Sequence, residues 1–157
     1  MTETVSTAGQ SRSAITLAEA SNIVDEALGA ARSAGLPPMT VAVLDPAGRL
    51  VALKREDNSS LLRPEIAQGK AFGALAMGMG SRALADRAVS HPAFINSVTA
   101  LAGGALVPVP GGVLIRDSDH TLLGAVGVSG ALPDQDEACA EAGIRAVSLE
   151  AQPGGGH

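Results

Sequence analysis

Residues 122–129, with the sequence LLGAVGVS, are apolar at nearly every position. A strand with one solvent-facing side alternates apolar and polar residues, whereas a strand covered on both faces reads as a continuous apolar run. The run therefore predicts a central strand with helices packed against both faces of its sheet. Gly124 and Gly127 lie within it, where the missing side chains would let another backbone come close.

The connections to other β-rich runs are too short for parallel strands, whose neighbours need a crossover of about a dozen residues or more. A Pro- and Gly-containing turn at residues 45–48 joins one pair of runs, and residues 117–121 join another pair. The sequence therefore predicts an antiparallel sheet. Five strands are expected, at residues 40–44, 50–53, 105–109, 113–116 and 122–129.

Apolar residues recur at helical spacing in the rest of the chain. The first helix opens with Thr16-Leu-Ala-Glu19, the form of a capping box, and Gly35 ends it. Further helices are predicted at residues 64–79, 81–88, 91–101 and 134–150, with Ser81 and Asp134 as N-caps. This order predicts a three-layer α/β/α domain of the α/β class, more closely the α+β type. We expect one domain over residues 15–150, with flexible tails at residues 1–14 and 151–157.

Composition excludes several functions for this chain of 157 residues, of which 46% are hydrophobic and 17% charged. Two Phe and no Trp or Tyr leave no aromatic platform for stacking bases, and a net charge of -5 opposes nucleic-acid binding. No apolar run approaches the roughly 20 residues of a membrane span, and no signal peptide is recognisable. With a single cysteine, Cys139, the chain has no disulfide or thiolate metal cluster. We therefore expect a cytoplasmic protein without nucleic-acid, membrane or metal partners.

Three titratable residues are candidates for catalysis if the protein is an enzyme. Lys70, in a helix of small residues, could pair with a ligand carboxylate or act in proton transfer, or simply reach solvent. His91 has a suitable pKa for acid–base work or for haem ligation, yet it precedes Pro92 at a helix start, where a capping or surface role is equally natural. Asp136, in an acidic cluster, could move a proton or favourably face the helix dipole.

The candidate ligand pocket joins these positions to the exit of the first hairpin and to a Gly-Gly turn. At that exit, Arg55 and Asp57 could bind an acidic ligand or form a surface ion pair. The predicted ligand-binding residues are Arg55, Asp57, Lys70, His91, Phe94, Gly111 and Gly112.

The sequence resembles the GlcG/HbpS family, which includes the C-terminal domain of PduO-type corrinoid adenosyltransferases. The resemblance covers roughly residues 15–148. It rests on TLAEA (16–20), VLDPAGR (43–49), KA (70–71), VPGGVLIRD (109–117), LGAVGVSG (123–130) and QDEACAEAG (135–143). It implies the GlcG- and PduO-C-like, profilin-like fold with a five-stranded antiparallel sheet, and a homo-oligomer.

The resemblance also implies a function, since some members of this family bind haem and others accompany catabolic genes. We expect a small-molecule-binding protein with haem or a related tetrapyrrole as ligand and with His91, Met77, Met79 or Cys139 as available axial donors. One alternative is a cofactor-independent lyase, hydratase or isomerase acting on a small carboxylic acid. Another is a catabolic accessory subunit that only assembles with itself.

Overall fold

The computed structural model describes residues 12–155 and has five helices and five strands in this part of the chain. The elements are α1 (Leu17–Ser33), β1 (Thr40–Leu44), β2 (Leu50–Arg55), α2 (Arg63–Met77), α3 (Ser81–Ser90), α4 (Pro92–Leu101), β3 (Gly112–Arg116), β4 (Leu122–Ser129), α5 (Pro133–Ala146) and β5 (Glu150–Gln152).

The strands form one open sheet in the order β2-β1-β4-β3-β5, and every neighbouring pair is antiparallel. Helices α1 and α5 cover one face, and α2 covers the other with α3 beside it. Helix α4 packs on α3. The predicted three-layer α+β architecture with a central β4 is confirmed.

The two faces of β4 differ in side-chain size, and this difference sets the helix positions. Val126 and Val128 belong to the core beneath α1 and α5, whereas Ala125 belongs to the core beneath α2. A Cβ on Gly127 would lie 1.8 Å from the backbone oxygen of Ala67 in α2. The glycine therefore permits direct contact between strand and helix backbones, as its place within the strand predicted.

The fifth strand is not the one expected. Residues 105–109 form no strand, because Pro108 and Pro110 cannot donate ladder hydrogen bonds. Instead β5 pairs with β3, with Ala151 opposite Ile115. The predicted C-terminal tail is corrected accordingly: residues 150–152 are strand, residues 153–155 are placed beside α3, and residues 156–157 lie outside the described part. The predicted N-terminal tail lies mostly outside it as well.

Helix α5 ends at Ala146 rather than at residue 150. Ser148 has a positive φ of 62°, and its N–H donates to the Arg145 carbonyl at 3.0 Å, which closes the last turn. The reversal frees the following residues to enter the sheet as β5.

Of the predicted helix N-caps, one is confirmed and two are wrong. Thr16 and Glu19 form both bonds of the predicted capping box. Ser81 and Asp134 do not cap: α3 follows Gly80 and α5 follows Leu132, while the Ser81 hydroxyl bonds to Gly112 instead.

No helix within residues 12–155 is both long enough and apolar enough to cross a membrane.

Candidate functional site

A buried ion pair joins the two helical layers past the end of the central strand. Lys70 projects from α2 and Asp136 from the first turn of α5, and their Nζ and Oδ2 atoms lie 2.9 Å apart. The two side chains are only 3% and 1% exposed. The Lys70 ammonium also donates to the Val128 carbonyl at 3.1 Å, and Asp136 accepts the Ala131 N–H at 2.9 Å. Each charge is therefore compensated within the protein.

The Gly111-Gly112 pair makes room for this lysine. Gly111 has a φ of +127°, and a Cβ there would lie 2.9 Å from Lys70 Nζ and 2.8 Å from the Val128 oxygen. A Cβ on Gly112 would lie 2.2 Å from the Lys70 backbone oxygen. The Gly112 N–H donates to the Ser81 hydroxyl at 2.7 Å. Both glycines thus allow the start of β3 to approach α2, and neither presents an open turn to a ligand.

Burial shifts the pKa values of the pair toward one another. Loss of hydration lowers the pKa of Lys70, and the charge of Asp136 opposes that change. Loss of hydration raises the pKa of Asp136, and the hydrogen bond and charge of Lys70 oppose it. With both groups out of solvent, this geometry supports a structural tie between α2 and α5 better than a role in holding a substrate.

A second polar group, which the sequence analysis missed, lies where β1 begins and β4 ends. Thr40 and Ser129 are paired across the two strands and both are fully buried. The Ser129 hydroxyl accepts a bond from Arg63 at 3.0 Å, and Thr40 bonds to Ser59 at 3.0 Å. In the sequence these two residues are marked only as hydroxyl residues at the ends of predicted strands. Such residues are common at strand ends and do not by themselves indicate a ligand site.

Arg55 and Asp57 lie beside this polar group and line a surface cleft of about 410 Å³. Arg55 donates to the Ser59 carbonyl. The other basic residues of the cleft are engaged too: Arg32 pairs with Glu56 at 2.9 Å and Lys54 with Asp25 at 2.6 Å.

His91 and Phe94 lie at the junction of α3 and α4. His91 occupies the N-cap position of α4 without a capping side-chain bond, and its Nδ1 lies 2.9 Å from the Ser90 hydroxyl. No other hydrogen bond of the ring occurs within residues 12–155. Phe94 is 49% exposed. The seven predicted ligand residues are thus distributed over three places: a buried one with Lys70, Gly111 and Gly112, a cleft with Arg55 and Asp57, and this exposed junction.

The other donor types differ in accessibility. Cys139 is free and 4% exposed, and burial raises the pKa of its thiol, so a thiolate is disfavoured there. Met77 and Met79 are half-buried around the small core beneath α3 and α4. His120 is exposed and lies 3.2 Å from Glu150, and His157 lies outside the described residues. Within residues 12–155, no three His, Cys, Asp or Glu side chains converge as a metal centre.

Comparison with known proteins identifies one family and several solved structures with the same fold. The model of a family described as "Haem degrading protein HbpS-like" matches residues 15–145. No protein of curated function matches with significant similarity.

Three solved structures illustrate the fold. A crystal structure of a PduOC:haem complex is 25% identical with a TM-score of 0.78, covering 87% of this chain and 97% of that one. A crystal structure of HbpS is 27% identical with a TM-score of 0.74, covering 87% and 92%. The protein ORFY of Klebsiella pneumoniae is 22% identical with a TM-score of 0.78, covering 88% and 94%, and supports the fold alone.

Proposed function

This chain belongs to the HbpS-like family, and we propose that it is a small-molecule-binding protein whose ligand is haem or a related tetrapyrrole. The observation that carries the proposal is the similarity to the PduOC:haem complex over 87% of this chain, with a TM-score of 0.78. The family description, which names haem as the molecule acted on, supports the same ligand class.

The donor set of this chain fits haem at His91. Its imidazole is exposed, and Nε2 has no hydrogen-bond partner within residues 12–155. The half-exposed ring of Phe94 offers apolar surface one helical turn away. Cys139 is buried as a thiol, which leaves His91 the most accessible of the donor types. When bound, haem would supply an iron centre whose properties depend on the axial ligand.

The enzyme alternative, action on a small carboxylic acid, has weaker support. Lys70 and Asp136 neutralise each other at 3% and 1% exposure, so neither is free to hold a substrate or exchange a proton with it. His91, the third proposed catalytic residue, lies at the start of α4 and makes no hydrogen bond to the pair within residues 12–155. We also propose, from the family resemblance, a homo-oligomer with an accessory role in catabolism, and separately a cytoplasmic location.

Hemin titration tests the proposal. Polypeptide groups do not absorb at the wavelength of the Soret band, so the band reports the ligand directly. Without Trp or Tyr the protein also adds little absorbance in the near ultraviolet. We expect saturation at a fixed stoichiometry and a Soret band shifted from that of free hemin. In His91→Ala the band should move, because an axial nitrogen is lost.

His120→Ala is the matched control, since that imidazole is equally exposed but faces Glu150. It should leave the band unchanged. Absorbance that rises without saturation or shift would contradict haem binding. A saturating band that is the same in His91→Ala would contradict only the axial assignment.

A further inference from the structure

A cleft of about 660 Å³ lies between α3, α5 and the C-terminal segment, and none of the predicted catalytic or ligand-binding residues lines it. Its volume is in the range of sites that hold small organic ligands. Small and apolar residues form much of its lining, among them Met79, Ala83, Ala151 and Pro153. The C-terminal segment forms one wall, held where the Arg82 N–H donates to the Pro153 carbonyl at 3.3 Å.

Two arginines give this cleft its charge. Arg87 comes from α3 and Arg145 from α5, so they line it from two different elements. The Arg87 guanidinium has no acidic or carbonyl partner within residues 12–155, and Arg145 bonds only to Glu141, at 2.8 Å. Neighbouring Arg82 differs, because Glu137 and Asp134 bind it and raise its pKa.

The charge balance of the lining favours an anion. Arg87, Arg145 and Glu141 sum to +1, in a chain whose net charge is -5. The cleft of about 410 Å³ beside Arg55 is less suitable, because its basic residues are already bound to Glu56, Asp25 and the Ser59 carbonyl. An unpartnered guanidinium is the group best suited to take a carboxylate through two parallel hydrogen bonds.

We propose that this cleft binds the carboxylates of a tetrapyrrole, with Arg87 and Arg145 as the recognising groups. The inference rests on the proposed function and adds the site of the acidic side chains of the ligand. Arg87 lies four residues, about one helical turn, before His91, and its backbone carbonyl accepts a hydrogen bond from the His91 N–H at 2.7 Å. The proposed carboxylate site and the proposed axial donor therefore adjoin along α3.

Hemin affinity of charge variants tests the site. Arg87→Gln and Arg145→Gln should each weaken binding by about ten- to 100-fold, the usual effect of losing one charged hydrogen bond. Arg49→Gln is the control, since Arg49 is exposed in the β1–β2 turn and does not line the cleft. Glu141→Gln should strengthen binding, because it releases Arg145 and removes the one carboxylate of the lining.

Hemin dimethyl ester, which lacks free carboxylates, distinguishes recognition of the acid groups from recognition of the ring. The wild type should bind the ester more weakly than hemin, and the arginine variants should bind it as the wild type does. Equal hemin affinity in wild type and Arg87→Gln/Arg145→Gln would overturn the carboxylate site while leaving haem binding intact.

Metal-free protoporphyrin tests whether the cleft recognises a tetrapyrrole that has no iron. If hemin fails to bind but protoporphyrin binds with the same arginine dependence, the cleft proposal stands, the ligand is a related tetrapyrrole instead of haem, and the axial role of His91 falls. If neither porphyrin binds saturably, both fall. Succinate that competes with equal strength would overturn the tetrapyrrole in favour of a simple dicarboxylate.

Discussion

Lys70 and Asp136 are 66 positions apart in the sequence and form the most buried ion pair within residues 12–155. Two charges removed from water are costly, and their attraction offsets that cost only when all their hydrogen bonds are made. Here the Val128 carbonyl adds one hydrogen bond to Lys70, and the Ala131 N–H adds one to Asp136. Removing one partner therefore leaves an unpaired charge in the interior.

Substituting Lys70 tests this structural role. Lys70→Met should reduce the free energy of unfolding by about 3–5 kcal/mol, since Asp136 then loses its counter-charge. Lys70→Met/Asp136→Asn should recover part of the loss, because the amide keeps an acceptor for Ala131 without a charge. Urea denaturation measures both, and an unchanged midpoint in Lys70→Met would contradict a buried tie.

The strand β5 shows how a short element completes the sheet. Its three residues cover the outer edge of β3, and Ala151 packs against the core beneath α1 and α5. Without it β3 would present a row of unpaired backbone groups, which favours association with other chains.

Truncation measures what β5 contributes. A chain ending at Leu149 should melt at a lower temperature than one ending at Gly155, because it loses the β3–β5 ladder and the packing of Ala151. In a chain of this size each kcal/mol lost corresponds to about 2–4 °C. Circular dichroism measures both melting temperatures. Equal values would show that the strand adds no stability.

Exposed apolar residues are spread over the surface of the single chain. Leu61, Val89 and Leu101 are 83%, 85% and 89% exposed, and Phe94 is half-exposed. Helix α4 packs on α3 and buries Ile95 in the small core with Leu84 and Leu106, while Leu101 at its end is exposed. Apolar residues that are scattered singly are ordinary on a monomer, so the expectation of assembly comes from the family resemblance and not from this surface.

Light scattering tests the oligomer implied by the family. At micromolar concentration we expect a mass of at least two subunits. Leu101→Lys, which places a charge at the exposed end of α4, should lower that mass if this end is in the interface and should leave the melting of the fold unchanged. A wild-type monomer throughout a concentration series would contradict assembly.

The sequence alone was sufficient for the antiparallel sheet, for the central position of β4 and for most helices. The reason is that burial on both faces of residues 122–129 and the capping box at Thr16 are local patterns. Local patterns are also why the fifth strand was predicted wrongly at residues 105–109. The actual strand β5 has three residues, which is too short to show a period, and pairing with β3 decides whether it forms.

The sites depended on the tertiary structure. Lys70, Asp136 and the Gly111-Gly112 pair were recognised as notable residues, but only folding placed them together out of solvent. The cleft of Arg87 and Arg145 is assembled from α3, α5 and the C-terminal segment, and neither arginine stands out in the sequence. The periodicity of a sequence shows which side of a helix or strand is buried. Long-range packing determines which residues of other elements contact that side.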